Sequence, residues 1–162
     1  MAESEGQLLG DFEARSLKFI SDRLARLEWK EFQEIVAAIL RAMGYKTRVA
    51  GDGPDRGVDI FASPNGLGLQ EPRIFVAVKH RNGQMGAPAI RSFLGGRKPG
   101  DRCLYVSSGG FSKEAKYEAE RSNVPLALIG LIELRQLLLD HYDRLDAEGR
   151  AIVSLKRVYT TT

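Results

Sequence analysis

Two residues on neighbouring strand-like segments carry most of the chemistry in this chain. Asp59 lies in VDIFAS (58–63) and Lys79 ends RIFVAVK (73–79). The nine residues between them, PNGLGLQEP, are too few for a parallel crossover, so the segments should pair as an antiparallel hairpin. With Ser63 and Arg73 bracketing the loop, paired residue numbers sum to 136, which puts Asp59 opposite Ala77. Lys79, two residues on, shares that face. A carboxylate and an ammonium then meet near strand ends, beside the turn GDGPDRG that carries Asp52 and Asp55. Mg²⁺ takes one or two protein carboxylates and completes its shell with water and phosphate oxygens. A lysine beside it can stabilise charge developing on a phosphoryl group or orient the attacking water. The pair is minimal equipment for phosphodiester hydrolysis; the plainer alternative is a cross-strand salt bridge.

Those residues need a scaffold, and the apolar pattern supplies one. Phe12, Ile20, Leu24 and Leu27 fall near helical spacing in residues 11–27. Trp29, Phe32, Val36, Leu40 and Met43 form a second stripe, closed by Gly44 where a helix-ending glycine belongs. Strands follow at Tyr45–Ala50, Val58–Ser63 and Arg73–Lys79, then a short helix at Ala89–Leu94 and a strand at Arg102–Ser107. Ser112 should cap a helix reaching Ser122; Pro125–Ile129 reads as a buried strand and Leu131–Tyr142 as a helix. Beyond a polar break at DAEGR, Ile152–Tyr159 is a terminal strand or an ordered arm. Strands that run together and then alternate with helices predict an α/β fold, a mixed sheet with helices on both faces. Three segments result: an N-terminal helical extension (1–27), the main domain (28–145) and the strand or arm (146–162).

Composition narrows the class of function. The 162 residues suit one domain, and no apolar run approaches the roughly 20 residues of a membrane helix. The start, MAESEGQLLGDFEARS, is acidic where a secretory signal would be basic and then apolar, so a cytoplasmic location is expected. One cysteine and two histidines argue against a disulfide framework, a cysteine-rich zinc site or a histidine metal site. Cys103 reads as a buried small hydrophobe, and His141 as a favourable charge at a helix C-terminus. The net charge is only +3, yet residues 73–121 hold ten Lys/Arg against four Asp/Glu. Such clustering fits a phosphate-rich partner or a solvated basic face. Arg56, His80, Arg81, Arg91, Lys113 and Lys116 are the candidate contacts. Ser108, in the turn SSGGF between a strand and a helix, is another, since such a turn can offer backbone N–H groups to phosphate. Taken alone, SSGGF is an ordinary turn without the lysine of a P-loop.

Five segments in order are more specific: EWKEFQEIVAAILRAMGYKTRVAG, DRGVDIFA, RIFVAVKHRN, CLYVSSGGFSKEAKYEAE and LALIGLIELRQLLL. Together they resemble the Mrr-like restriction endonuclease domain of the PD-(D/E)XK nuclease superfamily, over roughly residues 28–142. The resemblance implies a restriction-endonuclease-like mixed sheet flanked by helices, with Asp59 as metal ligand and Lys79 as catalytic lysine. It places Gln33 where relatives carry FE on the first core helix, and Ala77 where they carry the first residue of QxK or ExK. The backbone carbonyl of Val78 would complete the ligand set for Mg²⁺ or Mn²⁺. The implied function is metal-dependent cleavage of foreign or modified double-stranded DNA by a homodimer or larger assembly. Ala77 and Gln33 favour an alternative, a catalytically impaired DNA-binding module with the same fold. A protein-interaction domain whose basic stripe is incidental is a third reading.

Overall fold

A computed structural model describes residues 4–50 and 57–161. Two helices come first, α1 (Glu5–Ala25) and α2 (Trp29–Ala42). Then follow β1 (Lys46–Val49), β2 (Ile60–Ser63), β3 (Arg73–Lys79), α3 (Ala87–Leu94), β4 (Asp101–Ser107), α4 (Lys113–Glu120), β5 (Leu126–Ile129) and α5 (Leu131–Asp140). A 3-10 turn (Tyr142–Arg144) leads to α6 (Ala147–Ile152). Among the described residues no helix is long and apolar enough to cross a membrane.

The sheet runs β1-β2-β3-β4-β5. β2 is antiparallel to β1 and to β3, whereas β3, β4 and β5 are parallel. Pairing of Ile60 with Val76, Phe61 with Phe75 and Ala62 with Ile74 reproduces the register expected from the hairpin. Strand alternation then sorts side chains to two cores. Ile60, Ala62, Val76 and Val78 join α2 and α5 in the larger core. Ala77, Cys103 and Tyr105 meet Ile90 and Phe93 of α3 and Ala115 of α4 on the other face.

Local chemistry explains where the elements start and stop. α1 begins earlier than its apolar spacing predicts, because Ser4 and Gln7 exchange side-chain-to-backbone bonds at its N-terminus (3.1 and 3.2 Å). α2 ends as expected at Gly44, whose φ of 106° suits a residue without Cβ. The C-terminal segment differs from expectation. DAEGR does not break the chain: Asp146 caps α6 by accepting from the Gly149 N–H at 3.0 Å. The strand alternative for 152–159 is corrected, since no strand forms from Val153 to Thr161. The segment is an arm, held where Tyr142 donates to the Val153 carbonyl (2.7 Å) and accepts from the Leu155 N–H (2.8 Å).

Candidate active site

The site forms where the β2–β3 ladder ends. Ile60 pairs with Val76, and the Asp59 N–H also reaches the Val76 carbonyl at 2.8 Å. Two residues thus face one, the arrangement of a β-bulge, which re-aims a side chain at a strand end. The re-aimed carboxylate accepts the Val78 N–H at 2.7 Å. Asp59 is therefore fixed one residue from Lys79, and the Val78 carbonyl lies along the same edge of β3. Lys79 is half-buried. Among the described residues it forms no ion pair within 4 Å, so a cross-strand salt bridge is not what holds it.

The parallel neighbour β4 completes the floor. Ala77 stands beside Tyr105 and Lys79 beside Ser107. Tyr105 is 2% exposed, with its ring edge-on to Phe93 (5.3 Å) and Phe111 (5.8 Å). Burial pushes its phenol up; the Asp59 charge adds to that and Arg81 opposes it. Ser107 is fully buried, and among the described residues its hydroxyl has no hydrogen-bond partner, beside the lysine on the neighbouring strand. Neither residue stood out in the sequence. Cys103, two residues before Tyr105, has its thiol pushed up to about 11 by burial, consistent with an inert core residue.

A clamp holds this end of β3. His80 turns to the α2 face, where its ring stacks on Phe32 at 4.2 Å and 5°. Its Nε2 meets the Leu27 carbonyl at 2.6 Å and its Nδ1 the Ser108 hydroxyl at 2.9 Å. Ser108 also accepts the Arg81 N–H at 3.0 Å and donates to the Arg81 carbonyl at 3.3 Å. Gly109 permits the close fit, since a Cβ there would lie 2.6 Å from the Arg81 carbonyl oxygen. His80 and Ser108, expected to contact DNA, also use these hydrogen-bonding groups inside the protein.

The other expected residues are spread out. Arg81 is exposed at the site's rim. Arg91 of α3 is tied to Glu118 of α4 at 2.9 Å, with Arg121 on the same carboxylate at 2.7 Å. Lys113 and Lys116 are exposed on α4. Gln33 is buried next to Phe32 on α2, across the sheet from Tyr105. Arg56, Asp52 and Asp55 lie outside the described residues. Further basic residues of the 73–121 stretch serve the fold: Arg73 pairs with buried Asp101 at 2.9 Å, and Arg97 covers Phe75 at 4.9 Å.

A divalent cation at this edge could draw on the Asp59 carboxylate and the Val78 carbonyl. Among the described residues no three carboxylate, histidine or cysteine groups cluster. This hard, sparse oxygen set fits Mg²⁺, which keeps much of its water, and suits zinc poorly.

Among solved structures, the fold resembles that titled MspJI restriction endonuclease in complex with a 27-mer oligonucleotide. The TM-score is 0.52 at 19% identity, over 94% of this chain and 37% of that one, so this chain spans little more than a third of its length. A crystal structure of a protein of unknown function, AF1548, is similar over 64% of this chain and 63% of its own, at 18% identity and a TM-score of 0.45. No curated protein matches. The profile of the Mrr_cat family, described as restriction endonuclease, matches residues 24–138. That span reaches from the end of α1 into α5 and encloses Asp59, Val78 and Lys79, so the chain belongs to the Mrr-like restriction endonucleases, a family of PD-(D/E)XK nuclease domains.

Proposed function

We propose that this domain hydrolyses phosphodiester bonds of double-stranded DNA with Mg²⁺ or Mn²⁺, restricting foreign or modified DNA. The observation that carries the reading is the Asp59 carboxylate held on the Val78 N–H, one residue from a half-buried Lys79 that has no ion-pair partner among the described residues. Asp59 and the Val78 carbonyl would hold the cation. When bound, the cation stabilises phosphoryl charge and makes its water more acidic. Lys79 Nζ donates to the attacking water or to a non-bridging phosphate oxygen as charge grows there. The Val78 N–H, taken up by one Asp59 oxygen, fixes the orientation of the carboxylate. Arg81 at the rim, with Lys113 and Lys116 on α4, offers charge to the phosphate backbone, and Arg91 does so only by loosening its bond to Glu118. A duplex has two strands to cut, which favours a homodimer or larger assembly.

Supercoiled plasmid incubated with Mg²⁺ or Mn²⁺ tests the reading, with EDTA as control. Nicking that stops with EDTA supports it; intact plasmid at every metal concentration defeats it. Intact plasmid together with salt-sensitive DNA binding would favour the second reading, a DNA-binding module with an impaired metal site. The observation behind that reading is Ala77, 1% exposed among Phe93, Tyr105 and Val58, where no side-chain oxygen reaches a cation. Ala77→Gln should then confer cutting, at about 1–3 kcal/mol in stability because the position is full. Cleavage and thermal melting are read together.

A further inference from the structure

We propose that a cavity at the β1 edge is a second contact to duplex DNA, with Lys46 and Arg48 on phosphates and Leu67 and Leu69 against the minor groove. The inference rests on the nuclease reading and extends its surface beyond the Asp59–Lys79 site. The cavity measures about 310 Å³; Lys46, Arg48, Arg73, Phe61, Phe75 and Leu67 are among its walls, and among the described residues no carboxylate lines it. Strand pairing explains this composition. Arg48 lies opposite Phe61, and Lys46 opposite Ser63, so cations and rings stand on one face of β1–β3. Arg48 is exposed and covers the Phe61 ring at 4.4 Å, which positions its guanidinium. Arg73 is committed to Asp101; among the described residues Lys46 and Arg48 form no ion pair.

Two further features select duplex DNA as the occupant. Phe61 lies only two residues beyond Asp59, about 7 Å along the strand, so a polyanion seated at Asp59 would continue over this cavity. The loop beside it displays Leu67 at 73% and Leu69 at 85% exposure, large apolar groups open to solvent. Leucines flanked by cations are how minor-groove proteins wedge base steps while holding phosphates.

Fluorescence anisotropy of a labelled duplex, in EDTA to prevent cutting, tests this between about 50 and 200 mM salt. Lys46→Gln/Arg48→Gln should weaken binding and lower the salt slope by about 1.8, two phosphate contacts at roughly 0.9 each. Lys46→Gln alone should lower it by about half as much, a safeguard because Arg48 also packs on Phe61. Leu67→Ser/Leu69→Ser should weaken duplex binding without altering the slope and should remove bending seen by energy transfer between end labels. A wild-type chain that binds no duplex overturns both this inference and the nuclease reading. Wild-type binding that both cation variants reproduce in affinity and slope overturns this inference alone, and is what a surface for an acidic protein would give.

Discussion

The two faces of the sheet are built differently. On the α2 face, Phe32, Ile35, Ile60, Val76 and Leu138 are at or near full burial, and the polar His80 is stacked and bonded at both ring nitrogens. On the α3–α4 face the core is smaller and polar in places: Ala77 is short, Cys103 and Tyr105 bring heteroatoms, and the Ser107 hydroxyl has no partner among the described residues. Native interiors seldom leave a buried polar atom unpaired, so each exception calls for an explanation. One face is closed by packing, while the other sets the buried Ser107 beside Lys79.

The sharpest way to break this contrast is to mutate one residue on each face. Lys79→Met should reduce plasmid cleavage by about 10²–10⁴-fold, the range for a group acting on the reacting atoms. Its melting temperature should stay close to wild type, because Lys79 holds no ion pair among the described residues. Phe32→Ala should do the reverse in kind. It opens a cavity in the larger core and removes the stack on His80, costing about 3–5 kcal/mol in a urea titration. If Lys79→Met instead destabilises strongly while Phe32→Ala leaves stability intact, the division of labour between faces is wrong.

Ser108 joins the faces, so its effect should be intermediate. Ser108→Ala leaves the Arg81 N–H and His80 Nδ1 without their partner. About 1 kcal/mol of stability should be lost, since water can reach part of the site. Cleavage should fall several-fold, because the end of β3 that carries Lys79 is less firmly held. Unchanged melting with unchanged cleavage would mean the clamp is incidental.

How far the sequence revealed all this depended on how local the determinants are. The β2–β3 register was legible because a short loop and period-two alternation fix it, and Asp59 and Lys79 came with it. The bulge at Asp59 was not, since nothing in VDIFAS marks where pairing stops. Tyr105 and Ser107 were hidden because the register of two parallel strands separated by a helix is set by packing, as with Ala77 beside Tyr105. Charge counting pointed to 73–121 but could not separate Arg91, bound to Glu118, from exposed Lys113. α6 was missed because DAEGR looks polar, although Asp146 supplies a cap and Gly149 is buried against Ala38 of α2.

The smallest effect expected sharpens the comparison at the outer end of the α2 face, where polar groups help packing. Arg41 bonds Glu34 at 2.6 Å, Asp146 at 2.8 Å and Thr47 at 3.1 Å, linking α2, β1 and the cap of α6. The Arg41 hydrogen bond holds the Asp146 carboxyl below its ordinary 3.8, aided by the Gly149 N–H and opposed by partial burial. A folded-state pKa below the unfolded one favours folding above about pH 4, and the contribution vanishes as pH falls through the folded value. Asp146 is 41% exposed, so solvent screening limits the pair to about 0.5–1 kcal/mol. Arg41→Met should therefore be less stable than wild type by about that amount at neutral pH, read from urea midpoints, and the gap should narrow near pH 3. A gap of the same size at both pH values would assign the contribution of Arg41 to the packing of its methylenes, leaving the α2 face apolar in its energetics to its rim.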